Sequence, residues 1–433
     1  MKPKQDSIVR LENEGLSTET INLALTQHVR SKNTRNIRKV LLVPPDKTRP
    51  HSRAGYITNM YYKIFTRSGV KVNILPALGT HAPMTREEQV AFFGEIPEKH
   101  FLTHRWRDGV TSIGQISRAY VRVITCGIMD EPIPIQVSSY LLDPSYDLII
   151  SIGQVVPHEV AGMANYTKNI AIGCGGSNFI NASHMIGAAY GIEKILGKVN
   201  TPVRHLLDYI QKFLLAELPL EYALTVIEAE KLIGLYIGEG DSLFQKAALL
   251  SRERNINYVD SPIQNCVVYL DKEEFHSTWL GNKAIYRSRM AIADGGNLLV
   301  LAPGIKSFGE DSETDRLICK YGYVGRERIL ELSKSEPELQ NNLSVAAHLI
   351  HGSSDGRFNI TYAAPLLGKE AVENTGYQYM DWDDALGLVA QYSSSNNNTQ
   401  DWHKTLKPGF NGDMYFIPNP ALGLWKLNSQ IEW

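Results

Sequence analysis

The sequence predicts an α/β protein of two domains, each built on a mostly parallel sheet, with an active site in the cleft between them. The chain has 433 residues, more than one ordinary domain holds, and 43% are hydrophobic, enough for two cores. Asp147-Leu148-Ile149-Ile150-Ser151-Ile152 is apolar almost throughout, as a strand buried on both faces of a parallel sheet must be. Polar residues capable of chemistry follow that run, and open α/β sheets bind ligands just beyond the carboxyl ends of their strands. The polar run Arg252 to Asn257 marks the domain boundary. It gives an N-terminal domain over 1–260, carrying the candidate histidines, and a C-terminal domain over 261–433, closing over the substrate.

The first element is an amphipathic helix within residues 7–30, with Ser17 or Thr18 as N-cap. Val40-Leu41-Leu42-Val43 is a short buried strand, and a helix runs from Ala54 to Thr66. Between them, Pro44 to Pro50 places Asp46, Thr48 and Arg49 on a strand-to-helix turn. An Arg there can grip a carboxylate through two parallel hydrogen bonds, or simply stand in solvent. The next strand, Val72 to Leu78, ends in Gly79-Thr80-His81, and Thr85 with Glu88 forms a capping box for the following helix. His81 is thus presented at a strand end beside a Gly that lets a ligand approach.

Residues 97–146 read as β-rich, with Arg118 to Thr125 and Ile133 to Ser139 as strands, and His100 and His104 as surface residues. After the apolar run at 147–152, His158, Lys168 and His184 bring an imidazole, an amine and a second imidazole to one stretch. Cys174-Gly175-Gly176-Ser177 is either an anion nest of backbone N–H groups or a plain turn. Met185 to Leu196 reads as a helix, 201–221 as a strongly amphipathic helix, Ala223 to Ile227 as a strand and 241–255 as a helix.

The C-terminal part opens with the strand Cys266 to Leu270, a helix near Gly281 to Ile292 and the strand Asn297 to Pro303. A polar loop, Gly304 to Asp311, precedes a helix from Glu313 to Tyr321. His348, His351, Asp355 and Arg357 cluster near another loop. Ser393 to Gln400 is a surface loop by composition, and the apolar tail from Trp425 to Trp433 is expected to dock.

Bulk composition excludes several classes. A net charge of -2 leaves no electrostatic footprint for nucleic acid or an anionic membrane. Cys126, Cys174, Cys266 and Cys319 are scattered with no C-x-x-C pair, against a zinc knuckle or a disulfide framework. No signal-peptide core follows Met1, and no apolar run approaches a membrane span, so a reducing cytoplasm is the expectation. There is no P-loop and no dinucleotide fingerprint, and His158-Glu159-Val160-Ala161-Gly162 lacks the second His of a zincin.

Three segments together resemble the lactate racemase family. They are D-x-T-R at 46–49, G-T-H-x-P-M-T at 79–85, and Pro157-His158, Ala161, Gly162, Lys168 and His184 in that order. The glycine-rich run usual before the family's lysine is replaced by Ala164-Asn165-Tyr166-Thr167. The resemblance implies a nickel-pincer nucleotide attached at Lys168 and made by separate cofactor-synthesis proteins, with Asp46 and Thr48 among its contacts. It implies His184 as a nickel ligand, and Ni(II) favours square-planar sites that a neutral imidazole can complete. Arg49 would hold the substrate carboxylate. Inversion at C2 of a 2-hydroxy acid by hydride removal and return needs a base for each configuration, and His81 and His158 have the ordinary pKa for it.

The family's Tyr-Gln-x-x-Lys stretch is replaced by Glu310-Asp311-Ser312-Glu313-Thr314-Asp315-Arg316. Acceptors of this kind pair with the hydroxyls of an aldonate better than with a methyl group, while Lys306 or Arg316 could offset the negative charge. The sequence therefore favours a C2-epimerase of a larger polar acid over a lactate racemase proper. Two other classes compete: a zinc hydrolase using His81, His158 and His184, which leaves Lys168 idle, and a binding module without turnover.

Overall fold

The computed structural model describes residues 7–32, 37–392 and 406–428. They fall into two units, Met1–Ile186 with Lys194–Asn255, and Gly187–Glu193 with Ile256–Trp433. The first unit contains β1 (Ile8–Leu11), α1 (Thr18–Ser31), β2 (Lys39–Val43), α2 (Ala54–Arg67), β3 (Lys71–Ile74) and α3 (Arg86–Phe93). Then come β4 (Val110–Ile116), α4 (Arg118–Ile124), β5 (Ile133–Ser138), β6 (Leu148–Gln154), β7 (Pro157–His158), β8 (Gly162–Met163), α5 (Thr167–Ala171) and most of α6 (Ser177–Tyr190), whose residues from Gly187 on are counted with the second unit. The unit ends with α7 (Pro202–Tyr209), β9 (Leu220–Glu228), β10 (Lys231–Gly238) and α8 (Asp241–Asn255).

Its main sheet has the order β1-β10-β9-β6-β2-β3. The four strands β9, β6, β2 and β3 are parallel, and β10 and β1 close the edge antiparallel. Both faces are covered. Leu41, Val43 and Ile149 enter one core, while Val40, Leu42 and Ile150 enter the other, all 0–1% exposed. At about 1.5–3 kcal/mol per buried aliphatic side chain, this two-sided burial explains why the strands read as unbroken apolar runs.

Several local expectations are corrected. Arg118 to Ile124 is the helix α4, not a strand: Ser117 accepts the Tyr120 N–H as N-cap, and Val121 is buried while Val123 stays 74% exposed. The stretch 201–221 is not one helix. α7 stops at Tyr209, the chain makes one wide turn over Ile210–Leu214, and Pro219 precedes β9. The helix expected from Met185 starts earlier, at Ser177, and stops at Gly191, whose φ is +102°.

The second unit contains β11 (Ile256–Val259), β12 (Ile263–Tyr269), α9 (Thr278–Gly281), α10 (Lys283–Ser288), β13 (Ile292–Leu301) and α11 (Ser312–Tyr321). α12 (Arg326–Ser335), α13 (Pro337–Asn341), α14 (Leu343–His351), β14 (Asn359–Ala363), α15 (Lys369–Asn374), β15 (Gln378–Tyr379) and α16 (Trp382–Ala390) follow, then β16 (Gly409–Asn411), β17 (Met414–Ile417) and β18 (Leu424–Leu427). Its sheet runs β15-β14-β13-β12-β17-β16, parallel except for β16. Trp425 docks in β18, paired with β11. The loop expected at 393–400 and the last residues of the tail lie outside the described residues. Among the described residues no helix is long and apolar enough to cross a membrane.

Candidate active site

Three adjacent parallel strands, β6, β2 and β3, deliver the candidate residues from their carboxyl ends. Asp46, Thr48 and Arg49 follow β2, His81 follows β3, and His158 follows β6. The His81 loop is fastened by the Gly79 N–H, which donates to the Gly173 carbonyl at 2.8 Å. That bond joins it to the turn that leaves α5.

Asp46 is buried, and its carboxylate is fully engaged. His81 Nδ1–H donates to Asp46 Oδ2 at 2.6 Å, while the Thr48 amide and hydroxyl donate to Oδ1 at 3.1 and 2.5 Å. Burial pushes the Asp46 pKa up, but His81, Thr48 and Arg49 together outweigh it and hold the group below its ordinary value. A carboxylate can only accept, so His81 carries its proton on Nδ1 and offers the Nε2 lone pair outward; its side chain is 40% exposed. Arg49 is exposed, and its Nη1 donates to the Thr48 carbonyl and hydroxyl at 3.0 and 2.9 Å. Asp46 and Thr48, read from sequence as cofactor contacts, are thus placed as the support of His81 and Arg49.

His158 is buried, and the Val160 N–H donates to its Nδ1 at 3.1 Å. The neutral ring therefore carries its proton on Nε2. Its pKa lies well below 6.5, first because of burial and further because of Lys168, Arg49 and His184, with Glu159 acting the other way. Glu159 Oε2 is 3.7 Å from His158 Nδ1. Lys168 is partly buried and its amine is pushed down to about 8, by burial first and then by Arg49, against Glu159. His184 Nδ1–H donates to the Ile180 carbonyl at 2.6 Å, one turn back on α6, which leaves Nε2 as a free lone pair. Burial, and then Lys168, lower its pKa, so it is a neutral imidazole near pH 7. The mutual electrostatic influence of His158, Lys168, His184, Arg49 and Glu159 marks them as one cluster.

Lys168 is held by what surrounds it in the chain. Asn169 Nδ2 donates to the Val43 carbonyl and to Ser151 Oγ, both at 3.0 Å, pinning α5 over β2 and β6. Ahead of it, Asn165 and Tyr166 have φ of +64° and +58°, conformations that cost a side-chain-bearing residue about 1 kcal/mol or more.

The remaining expectations divide. Lys306 lies exposed in the loop after β13, at the carboxyl end of the second sheet. Arg316 is exposed and engaged: Nε and Nη2 donate to Glu313 at 3.0 and 2.9 Å, and Nη2 also reaches Glu338 at 2.9 Å. The acidic run is likewise committed. Asp311 caps α11, Asp315 accepts the Phe308 and Gly309 N–H groups, and Glu310 accepts from Ser277. His104, expected on the surface, is buried; its Nε2 bonds the Gly175 carbonyl at 3.1 Å, and burial pushes it down to about 4. Gly175 and Gly176 both have ordinary negative φ, and Cys174 to Gly176 serves as a packed turn with its carbonyls bonded to Ser138 and His104. Arg357 ties Asp294 to the backbone of Arg289 and Ile292, and His348 bonds the Tyr323 hydroxyl at 2.9 Å; both read as structural.

Among the described residues no three His, Cys, Asp or Glu side chains gather to hold a metal. A metal in this cluster would take one protein donor, His184 Nε2, and its other ligands from a bound group. A lysine amine that is partly neutral near pH 8 stands in the same cluster to anchor such a group. The residues fit a tethered nickel-pincer nucleotide better than a zinc triad.

Comparison with known proteins bears on the fold and on the N-terminal part of the chain. A protein from Thermotoga maritima has a similar structure, with a TM-score of 0.81 at 24% identity over 97% of this chain and 100% of that one. The lactate racemase apoprotein from Thermoanaerobacterium thermosaccharolyticum is similar at a TM-score of 0.64 and 17% identity, over 96% of this chain and 91% of that one. At these identities the likeness establishes the fold. No curated protein matches the chain. Residues 5–191 match the family model of the lactate racemase N-terminal domain.

Proposed function

We propose that the protein is a racemase or epimerase that inverts C2 of a 2-hydroxy acid, with a nickel-pincer nucleotide attached at Lys168 and liganded by His184. The observation that carries this reading is that Arg49 bears electrostatically on His158, on Lys168 and on the Asp46 that holds His81, while Lys168 bears on His184, a neutral imidazole whose Nδ1–H is bonded to the Ile180 carbonyl. When bound, the cofactor supplies a reversible hydride acceptor. The protein does the rest. Arg49 takes the substrate carboxylate in two parallel hydrogen bonds and fixes which atom faces which histidine. His81 Nε2 accepts the hydroxyl proton as the carbonyl forms, and Asp46 steadies the resulting imidazolium through Nδ1–H. His158 serves the opposite configuration. Its one lone pair is on Nδ1, which accepts from the Val160 N–H, so it takes the hydroxyl proton there once the ring turns away from Val160, and Glu159, 3.7 Å from that atom, steadies the imidazolium.

An aldonate preference rests on free acceptors in the run 310–316. Those carboxylates are committed to helix capping and ion pairs, so we propose the broader class of 2-hydroxy acids, with lactate and aldonates both in it.

The test is to produce the wild type and Lys168→Ala together with cofactor-synthesis proteins of the family and measure intact mass and nickel. The wild type should carry one covalent adduct at Lys168 and about one nickel, and the variant neither. Stoichiometric nickel in folded Lys168→Ala would sink the assignment.

A further inference from the structure

The turn that leads into Lys168 is built against the preference of its residues. Tyr166 has φ +58° and ψ -135°, the first central position of a type II′ turn, which glycine adopts freely and tyrosine does not. Asn165 before it also has positive φ. Two such residues in succession persist only where the surroundings hold them.

Those surroundings form a stack. The Tyr166 ring lies nearly parallel to Phe244, 5.2 Å between centroids at 15°, with Tyr222 4.3 Å away on another side. The guanidinium of Arg204 lies 4.3 Å over the Phe244 ring. Arg204 is fully buried, and its Nη2 donates to the Met163 carbonyl at 2.8 Å, three residues before Tyr166. After the turn, Thr167 Oγ1 donates to Gln211 Oε1 at 3.0 Å on the wide turn that follows α7. Gly153 leaves the room this requires, since a Cβ there would stand 2.1 Å from Asn165 Nδ2. Met163, Tyr166, Thr167 and Asn169 are thus each fixed around Lys168.

We propose that the Arg204–Phe244–Tyr166 stack holds this strained turn in place of a glycine-rich one, and so presents the Lys168 amine for covalent attachment. Arg204 and Tyr166 are positioning residues in this account, and neither touches substrate. The inference rests on Lys168 being the attachment site. Charged and titratable groups bearing on the amine are Arg49, Glu159 and Arg204, with His158 and His184 in the same cluster.

The experiment uses the full chain without cofactor and acetylates it with an N-hydroxysuccinimidyl ester at one pH. Peptide mass spectrometry then gives the rate at Lys168 relative to exposed lysines of the same molecule. Tyr166→Phe keeps the stack and should leave the rate unchanged. Arg204→Met should lower it about tenfold or more with the other lysines unaffected, because a lysine moved by an ångström loses its setting. Adding Tyr166→Gly to Arg204→Met should restore the rate, since glycine holds the turn without the stack. If folded Arg204→Met reacts like the wild type, or the double variant stays as unreactive as the single one, the proposal falls. If Arg204→Met does not melt cooperatively, Phe244→Leu opens the stack from its other member and decides in the same way. Failure of cofactor to attach to the wild type would overturn the functional reading instead, while leaving these relative rates as the measure of the stack.

Discussion

The imidazoles of His81 and His158 are held in opposite tautomers. His81 Nδ1–H donates to Asp46, whereas His158 Nδ1 accepts from the Val160 N–H. A carboxylate only accepts and an amide N–H only donates, so the partners fix the ring protons. His81 therefore presents a lone pair at Nε2, and His158 presents an N–H until its ring turns. In the proposed reaction the two histidines would serve opposite configurations of one carbon, and in the resting protein they are not equivalent.

It follows that His81→Ala and His158→Ala should each lower racemisation by about 10²–10⁴-fold, the usual contribution of a placed base. Glu159→Gln should weaken the direction that depends on His158 more than the other, since the carboxylate steadies its imidazolium. Initial rates from each enantiomer, followed by chiral chromatography, check this. Equal loss in both directions for Glu159→Gln would remove the ring-turn account.

Asp46→Asn keeps the shape but removes the anion behind His81, and turnover should fall about 10²-fold through misplacement of the ring. Its effect on stability has a definite pH sense. The folded Asp46 pKa lies below its ordinary 3.8, so its contribution is present above that value and is lost as pH falls through the lower folded one. The melting-temperature gap between wild type and Asp46→Asn should be open at pH 7 and close in acid. A gap that widens on acidification would contradict the pairing.

How much of this was legible in the sequence depended on whether a feature was local or made by distant partners. β2 and β6 were legible because both faces are buried, which leaves an unbroken apolar run. The Thr85–Glu88 capping box was legible because it spans four residues, and it forms as read. The support of His81 by Asp46 was not, because the two residues are 35 apart and meet only where β2 and β3 lie side by side. His104 looked like a surface residue beside Arg105, Arg107 and Asp108, but its ring turns inward to the Gly175 carbonyl while those neighbours face solvent. The acidic run at 310–316 looked like a polar wall because composition does not reveal that a carboxylate is capping a helix. β-branched residues in 118–125 suggested a strand, and a single serine cap decided for a helix.

The Lys168 amine, pushed down to about 8 from an ordinary 10.5, predicts a pH profile. Its acylation should rise with pH around a midpoint near 8, well below that of exposed lysines at about 10.4. Between pH 8 and 10.5 the unfolded chain binds the proton more strongly than the folded one, so stability rises with pH there. Lys168→Met should therefore melt above the wild type at pH 7, with the difference shrinking as pH passes through that window. Pulsed labelling and thermal melts give the two readings, and a midpoint near 10 would show an amine that feels neither burial nor Arg49.

Arg49 and Arg316 differ in what their guanidinium groups are bonded to. Arg49 follows β2, close to the histidine cluster, and its planar fork suits a carboxylate. Arg49→Lys keeps the charge but not the two parallel bonds, so kcat/KM should fall about 10–100-fold for every 2-hydroxy acid alike, the worth of a charge-assisted hydrogen bond. Arg316 has three hydrogen bonds to Glu313 and Glu338 on an exposed helix face. Arg316→Ala should change neither the order of substrates nor, by much, the melting temperature, because exposed ion pairs contribute little. A panel of lactate, malate, phenyllactate and gluconate, run on the nickel-loaded wild type and both variants, reads this directly. If Arg316→Ala abolished gluconate turnover and spared lactate, the surface pairing would have to open in the working enzyme, and the acidic run would regain its place as a polar wall for an aldonate. If Arg49→Lys spared any member of the panel, that acid would be held by some other cation, of which exposed Lys306, in the loop after β13, is the first to test.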